Sequence, residues 1–315
     1  MFGSKPPPAA PVPKPAPLGK DGPISLLLKV AGAASLVATA VKAITNQKNK
    51  AAPRTRVLGV IPARYKSTRF PGKPLTPILG KPMIQRTYEQ AKQAKKLDKL
   101  VVATDDERIA ECVRNFGGDV VMTSESCPNG TERCDEAAKN LGGTWDIVVN
   151  IQGDEPLIEP EIIDGVVEAL QNSPDAVYST ACTPLKHEEV AMRGRVKCIL
   201  DKEGYAIYFS RGFIPHNKDG EVKKDYTYLL HLGLQCYDRK FLSKYPKMEA
   251  TPLQKQEDLE QLKVIENGYK IKVITVDHSA HGVDEPEDVQ SIEAIIKKLG
   301  MEWVCERELC AGVVI

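Results

Sequence analysis

Three short segments of this chain carry residues whose types and spacing suit the handling of phosphates. The first reads Ile61-Pro62-Ala63-Arg64-Tyr65-Lys66-Ser67-Thr68-Arg69-Phe70-Pro71-Gly72-Lys73-Pro74-Leu75. Arg64, Lys66, Arg69 and Lys73 place four cations in a loop stiffened by Pro62, Pro71 and Pro74. A polyanion such as a triphosphate would satisfy both the charge and the exposed amides of such a loop. It is neither a GxGxxG nor a GxxxxGK[ST] sequence. The alternative is a solvated basic loop, for which stiffness has no use. The second segment, Val148-Val149-Asn150-Ile151-Gln152-Gly153-Asp154-Glu155-Pro156, ends an apolar run in a glycine turn with two acids at its tip. Asp154 suits a magnesium ion shared with phosphate oxygens, because Mg²⁺ takes one or two protein carboxylates and fills its shell from substrate. Otherwise it is a turn residue bonded to its own backbone. The third segment is His281-Gly282-Val283-Asp284-Glu285-Pro286-Glu287-Asp288. Asp284 is either a second carboxylate for such an ion or a helix cap ahead of a proline.

Each acid follows a stretch that reads as a strand. Val57–Ala63, Leu100–Ala103, Val120–Met122 and Asp146–Ile151 are short apolar runs. They alternate with helical spacing at Met83–Ala94, an acid-rich helix start at Asp105-Asp106-Glu107, and helical spacing again at Gly165–Leu170. This β-α-β-α order predicts a Rossmann-like, mostly parallel sheet with helices on both faces. Ligands of such sheets bind beyond the carboxyl ends of the strands, where the basic loop and Asp154 fall. Residues 176–237 are richer in β-type runs and predict an inserted lobe with antiparallel strands. The alternation resumes with a helix at Leu253–Asn267, a strand at Ile271–Val276 and a helix at Glu285–Leu299. The tail, residues 300–315, gives no clear reading.

The chain's net charge of +1 hides an asymmetry. Residues 1–56 hold nine basic residues and one acid, Asp21, so the rest is net acidic at −7. An acidic globular part argues against nucleic acid as a partner. Residues 1–23 contain eight prolines and cannot pack a core, which predicts a disordered or polyproline-like segment. Ile24–Ile44 is an Ala/Val/Leu run flanked by Lys29 and Lys42. As a helix it would span roughly 30 Å, the thickness of a bilayer core. It reads first as a single membrane anchor. A cleaved organelle-targeting segment and a helix lying on a surface are the alternatives. Lys48, Lys50, Arg54 and Arg56 follow in the linker 45–55 and just beyond it, and would keep the catalytic part on the cytosolic side of an anchor. None of the eight cysteines forms a C-x-x-C pair, so zinc-ribbon and thioredoxin readings lack support, and most are expected to be buried thiols.

Residues 56–299 resemble the CMP-Kdo synthetases, cytidylyltransferases that activate the sugar acid 3-deoxy-manno-octulosonate (Kdo). The resemblance rests on Ile61-Pro62-Ala63-Arg64, Ser67-Thr68-Arg69, Pro71-Gly72-Lys73-Pro74, Ala103-Thr104-Asp105 and Gly130-Thr131-Glu132-Arg133. It continues through Gln152–Pro156, Tyr208-Phe209-Ser210-Arg211, His231-Leu232-Gly233 and Gly282–Asp288. It implies a glycosyltransferase-A-like nucleotidyltransferase fold, CTP and Kdo as substrates, Mg²⁺ as cofactor, and a homodimer for which the 176–237 lobe is a candidate interface. Residues 1–55 are similar to the N-terminal extension of plant members, which the family places at mitochondria. An outer-membrane anchor is favoured over the organelle interior.

By the same resemblance, Arg64 and Lys73 would neutralise the CTP phosphates, with Arg69 in support, and Pro62, Ala63 and Asp105 would line the nucleotide site. Gly130, Thr131, Glu132 and Arg133 would read cytosine and ribose. Asp154 and Asp284 would hold the metal. Gln152, Arg211 and His231 would contact the sugar. Two departures stand on the sugar side. Gln235 replaces the usual tyrosine after His231-Leu232-Gly233, and Gln254 replaces the usual glutamate after Pro252-Leu253, where Glu257 is the expected substitute. The rival readings are a CMP-sialate synthetase and a catalytically dead, membrane-tethered nucleotide fold. Retention of Arg64, Lys73, Asp154 and Asp284 speaks against the latter. A sugar-transferring glycosyltransferase is disfavoured because Asn150–Pro156 holds no Asp-x-Asp pair.

Overall fold

The computed structural model describes residues 53–67, 70–278 and 282–300. The proline-rich start, the Ile24–Ile44 run, Arg69, His281 and residues 301–315 lie outside the described residues. The chain runs β1 (Val57–Ala63), a hairpin of β2 (Pro77–Ile78) and β3 (Lys81–Pro82), α1 (Met83–Ala91), β4 (Lys99–Thr104), α2 (Glu107–Asn115), β5 (Val120–Met122), α3 (Gly130–Leu141), β6 (Ile147–Asn150) and α4 (Pro160–Gln171). It continues with β7 (Ala176–Pro184), β8 (Lys197–Leu200), β9 (Ala206–Ser210), β10 (Leu229–Asp238), α5 (Arg239–Leu242), α6 (Pro252–Glu257), α7 (Glu260–Glu266), β11 (Lys270–Thr275) and α8 (Asp288–Lys298).

The central sheet has the order β11-β7-β10-β6-β1-β4-β5. β1 is parallel to β4 and β6, β4 to β5, and β11 to β7, while β10 runs antiparallel between β6 and β7. This is the mixed, mostly parallel sheet the alternation predicts. β1 is buried along nearly its whole length because both faces of the sheet are covered. Alternate residues serve opposite layers. Val57 and Ile61 pack with Ile84, Val113 and Ile163 of α1, α2 and α4, whereas Leu58 and Val60 pack with Ala137 of α3 and Leu262 of α7.

The β-rich segment is less separate than its composition suggests. β7 and β10 belong to the central sheet, and β8 and β9 hang from β10 as an antiparallel extension. The run Leu253–Asn267, expected as one helix, is two helices parted at Asp258, whose φ of 52° is left-handed. The fold begins before β1. Arg54 donates to the carbonyls of Leu170 and Ala176 at 2.8 and 2.9 Å and pairs with Asp238 at 3.1 Å. Among the described residues, no helix is long and apolar enough to cross a membrane.

Candidate active site

The basic loop leaves the carboxyl end of β1 and folds back on itself. Gly72 (φ 71°) donates its N–H to the Tyr65 carbonyl at 2.9 Å, and a Cβ there would stand 3.2 Å from the Tyr65 ring. The other partner of that ring is Arg108, whose guanidinium carbon lies 3.3 Å from its centroid. Lys73 then opens a one-turn 3₁₀ helix, Lys73–Leu75, with Pro74 setting its start. Its ammonium meets Asp154 Oδ2 at 2.6 Å. Arg64 is exposed and has no carboxylate within ion-pair distance among the described residues.

Asp154 sits in the turn after β6. Gly153 approaches the Pro62 carbonyl so closely that a Cβ would lie 3.3 Å from it. The Asp154 carbonyl accepts the Val283 N–H at 2.9 Å, which ties the strap carrying Asp284 to this turn. Asp284 is not the helix cap. Asp288 Oδ2 accepts the N–H groups of Asp284 and Glu285 at 2.8 and 2.9 Å, and the Asp284 carboxylate makes no hydrogen bond among the described residues. Both acids face one cleft of about 360 Å³, together with Arg64, Lys73, Pro62 and Ala63. Glu155 registers their convergence. Burial chiefly, then the Asp154 charge, and more weakly that of Asp284, push its carboxyl up to about 7 against the pull of the Gly233 N–H.

The opposite wall is the N-terminus of α3. Asn129 caps it by accepting the Glu132 N–H at 2.8 Å, and a Cβ on Gly130 would come within 3.4 Å of both Asn150 and Pro62. Gly130 and Arg133 line the cleft. Arg133 is almost wholly buried, bonded to Thr123 at 2.6 Å and paired with Asp105 at 3.1 Å, so Asp105 reaches the site by fixing Arg133. Thr131 points inward and donates to Glu260.

On the remaining side, Gln152 lines the cleft, whereas Arg211, His231 and Glu257 are not among its lining residues. Glu257 accepts from the Ser210 hydroxyl at 2.6 Å and the Arg211 N–H at 2.9 Å, and Arg211 Nε donates to the Glu257 carbonyl at 2.8 Å. His231 Nε2 lies 2.9 Å from the Thr180 hydroxyl, and burial pulls its pKa down to about 4, so the ring is neutral at neutral pH. Gln235, which replaces the usual tyrosine, accepts from Asn150 and from the Tyr237 hydroxyl, both at 3.0 Å. Its carbonyl is a half-buried junction between β6 and β10.

Residues 58–271 match the cytidylyltransferase family model. A 3-deoxy-manno-octulosonate cytidylyltransferase of Arabidopsis thaliana, named mitochondrial, is 62% identical over 86% of this chain and 93% of its own. One of Zea mays is 66% identical over 78% of this chain and 82% of its own. A solved CMP:2-keto-3-deoxy-manno-octonic acid synthetase complexed with CTP superposes with a TM-score of 0.73 at 35% identity, covering 78% of this chain and 99% of that one. The chain belongs to the 3-deoxy-manno-octulosonate cytidylyltransferases.

In this cytidylyltransferase the oxygen-only donor set of Asp154 and Asp284 fits a hard divalent cation. Among the described residues no group of three or more His, Cys, Asp or Glu is placed to hold a metal ion, so such an ion would need oxygens from elsewhere, which a polyphosphate has. Glu260 is the wall residue that sequence reasoning missed. It opens α7, lines the cleft, and has its carboxyl raised by burial against the opposing Thr131 hydrogen bond. Reading Leu253–Asn267 as one helix concealed it. The signal was Asp258-Leu259, which ends one helix before Glu260 starts the next.

Proposed function

We propose that this chain transfers the cytidylyl group of CTP to the anomeric hydroxyl of Kdo. The hydroxyl oxygen bonds to the α-phosphorus, the α–β phosphoanhydride breaks, pyrophosphate leaves, and the hydroxyl proton is released. The carrying observation is that Arg64 and Lys73 of the basic loop and the two carboxylates of the β6 turn and the 282–284 strap line one cleft. Phosphoryl-type transfer asks little covalent chemistry of a protein; positioning and charge neutralisation supply most of the acceleration.

Arg64, free of any acid among the described residues, meets the triphosphate. Lys73 shares its charge between Asp154 and the incoming phosphates. The α3 N-terminus, with Gly130 leaving room at its start and Arg133 held by Asp105, receives the nucleoside. Arg69 supports the phosphates. Asp154 and Asp284 would hold Mg²⁺, which when bound offsets phosphate charge and lowers the pKa of the attacking hydroxyl. Gln152 faces the sugar acid, and Arg211, His231 and Glu257 shape that side.

The enzyme acts as a homodimer. Exposed Met192 and Ile207, in the segment carrying β8 and β9, support that face as the interface. Mitochondrial placement is supported by the name of the Arabidopsis relative, and an anchor rests on the Ile24–Ile44 run alone. The activity is tested by pyrophosphate release with CTP and Kdo beside CTP and sialate. Release with Kdo alone is expected. Release with sialate and not Kdo moves the chain to the sialate class, and none with either leaves a nucleotide-binding scaffold.

A further inference from the structure

Lys197 of β8 is wholly out of solvent. Buried ammonium groups normally face a carboxylate, but no acid lies within ion-pair distance of this one among the described residues. Its three N–H bonds go to backbone carbonyls: Met192 at 3.0 Å, Arg195 at 2.6 Å and Arg211 at 2.7 Å. Those carbonyls come from the turn before β8 and from the residue just after β9, so one cation ties the start of β8 to the end of β9 at the open end of the pair. Burial pulls the ammonium below the usual lysine range, and the charge of Glu257 pushes it back. An uncharged side chain could staple two turns at less desolvation cost, so the choice of a cation calls for a reason beyond packing.

The reason lies in what Arg211 holds. Its N–H bonds Glu257 Oε2, its Nε bonds the Glu257 carbonyl, and its Nη2 reaches the Asp258 carbonyl at 3.1 Å. Asp258 is the left-handed residue at which the chain breaks between α6 and α7, and two residues later Glu260 enters the cleft. Fixing the Arg211 carbonyl therefore fixes the clamp that sets the angle of α7 and the place of Glu260.

We propose that Lys197 is a positioning residue: its buried ammonium holds Arg211, and through the Arg211–Glu257–Asp258 clamp it presents to the sugar acid Glu260, which stands between Thr131 of α3 and the contact of Gln261 with His231 (3.4 Å) on the sugar side. This rests on the cytidylyl-transfer reading only for the identity of that ligand. A fixed wall matters because a displacement of an ångström at a positioning group costs up to about 10²-fold in rate.

The test uses the full chain carrying Lys197→Met, which keeps the length of the side chain and removes charge and donors. Two readings are taken: KM for Kdo and for CTP, and amide hydrogen exchange. The expected result is a KM for Kdo raised about 10-fold, a KM for CTP within about 2-fold of the parent, and faster exchange confined to residues 252–262 while β1 stays protected. A merely structural lysine would lower the melting temperature and move both KM values together or neither. That outcome, or unchanged exchange at 252–262, overturns the proposal. If Lys197→Met fails to fold, Lys197→Gln, which keeps an N–H donor and removes the charge, is read in the same way. A parent protein that does not turn over Kdo sinks the functional reading, while the exchange arm still decides the positioning role.

Discussion

The basic loop and the Arg211–Glu257 region are both dense in charge, but their charges are arranged in opposite ways. Around the loop, the backbone is fixed by close approaches at Gly72 and Gly153 and by the Val283–Asp154 bond, and the Arg64 and Lys73 side chains are left to act, while Lys66 pairs with Glu125 at the surface. Arg64 and the Asp284 carboxylate have no ionic partner among the described residues, and Lys73 and Asp154 have only each other. Around Glu257, the charged groups are already satisfied by one another and by backbone carbonyls. The difference teaches that unspent charge marks where a polyanion and a metal would bind, whereas spent charge holds shape. Substitutions should therefore separate the two regions, removing turnover in one and shifting KM or stability in the other.

The largest separation is expected at Lys73. Lys73→Ala should lower turnover by roughly 10²-fold or more, the scale for losing one preorganised charge contact. Its melting temperature should stay near that of the parent, because the ion pair it leaves is part-exposed. A mutant that simply unfolds would place Lys73 with the shape-holding charges instead.

The N-terminal boundary sharpens the comparison on the stability side. A chain begun at Pro53 should keep turnover and melting temperature, because Arg54 and its bonds to Leu170, Ala176 and Asp238 remain. One begun at Val57 loses them, and a lower melting temperature is expected, with about 1.5–3 kcal/mol lost per hydrogen bond to a charged group in the most enclosed cases. Equal melting temperatures for the two chains would make Arg54 a surface residue in effect.

Glu257→Gln keeps the shape and removes the charge. The expected effect is a KM for Kdo raised by roughly 3- to 10-fold with little change for CTP, since one weakened hydrogen bond to a charge is worth about 1 kcal/mol. A proportionate loss of turnover at saturating Kdo would put Glu257 among the reacting groups. The smallest effect concerns His231. Its folded pKa of about 4 lies below the unfolded 6.5, so the unfolded chain binds the extra proton between those values. Stability contributed by the neutral ring is complete above about 6.5 and is lost as pH falls towards about 4. His231→Gln should flatten that slope in pH-dependent melting, and an unchanged slope would mean the acid sensitivity arises elsewhere.

The legible part of the molecule is the part written in backbone chemistry. Apolar runs ending in Gly-Asp turns, and prolines around cations, announce strands, switch points and a stiff loop, and the cleft assembles at those places. The role of Asp284 was not legible, because the Asp288 carboxylate that takes the Asp284 and Glu285 N–H groups is brought there by a turn of the strap. Glu260 was hidden by a left-handed residue that is not glycine, where helical spacing continues across a break. The Gln235 junction and the Arg133–Asp105 pair join residues far apart in sequence, and their partners become visible only when β6 is placed beside β10 and the end of β4 beside α3.

Asp154 and Asp284 are proposed to serve one ion. Turnover is measured over a magnesium titration for Asp154→Asn, Asp284→Asn and the double mutant. Each single mutant is expected to lose nearly all turnover with a raised magnesium requirement, and the double to be scarcely worse than either, as for residues acting as a unit. Full activity of Asp284→Asn at low magnesium, or losses that multiply in the double mutant, would contradict it.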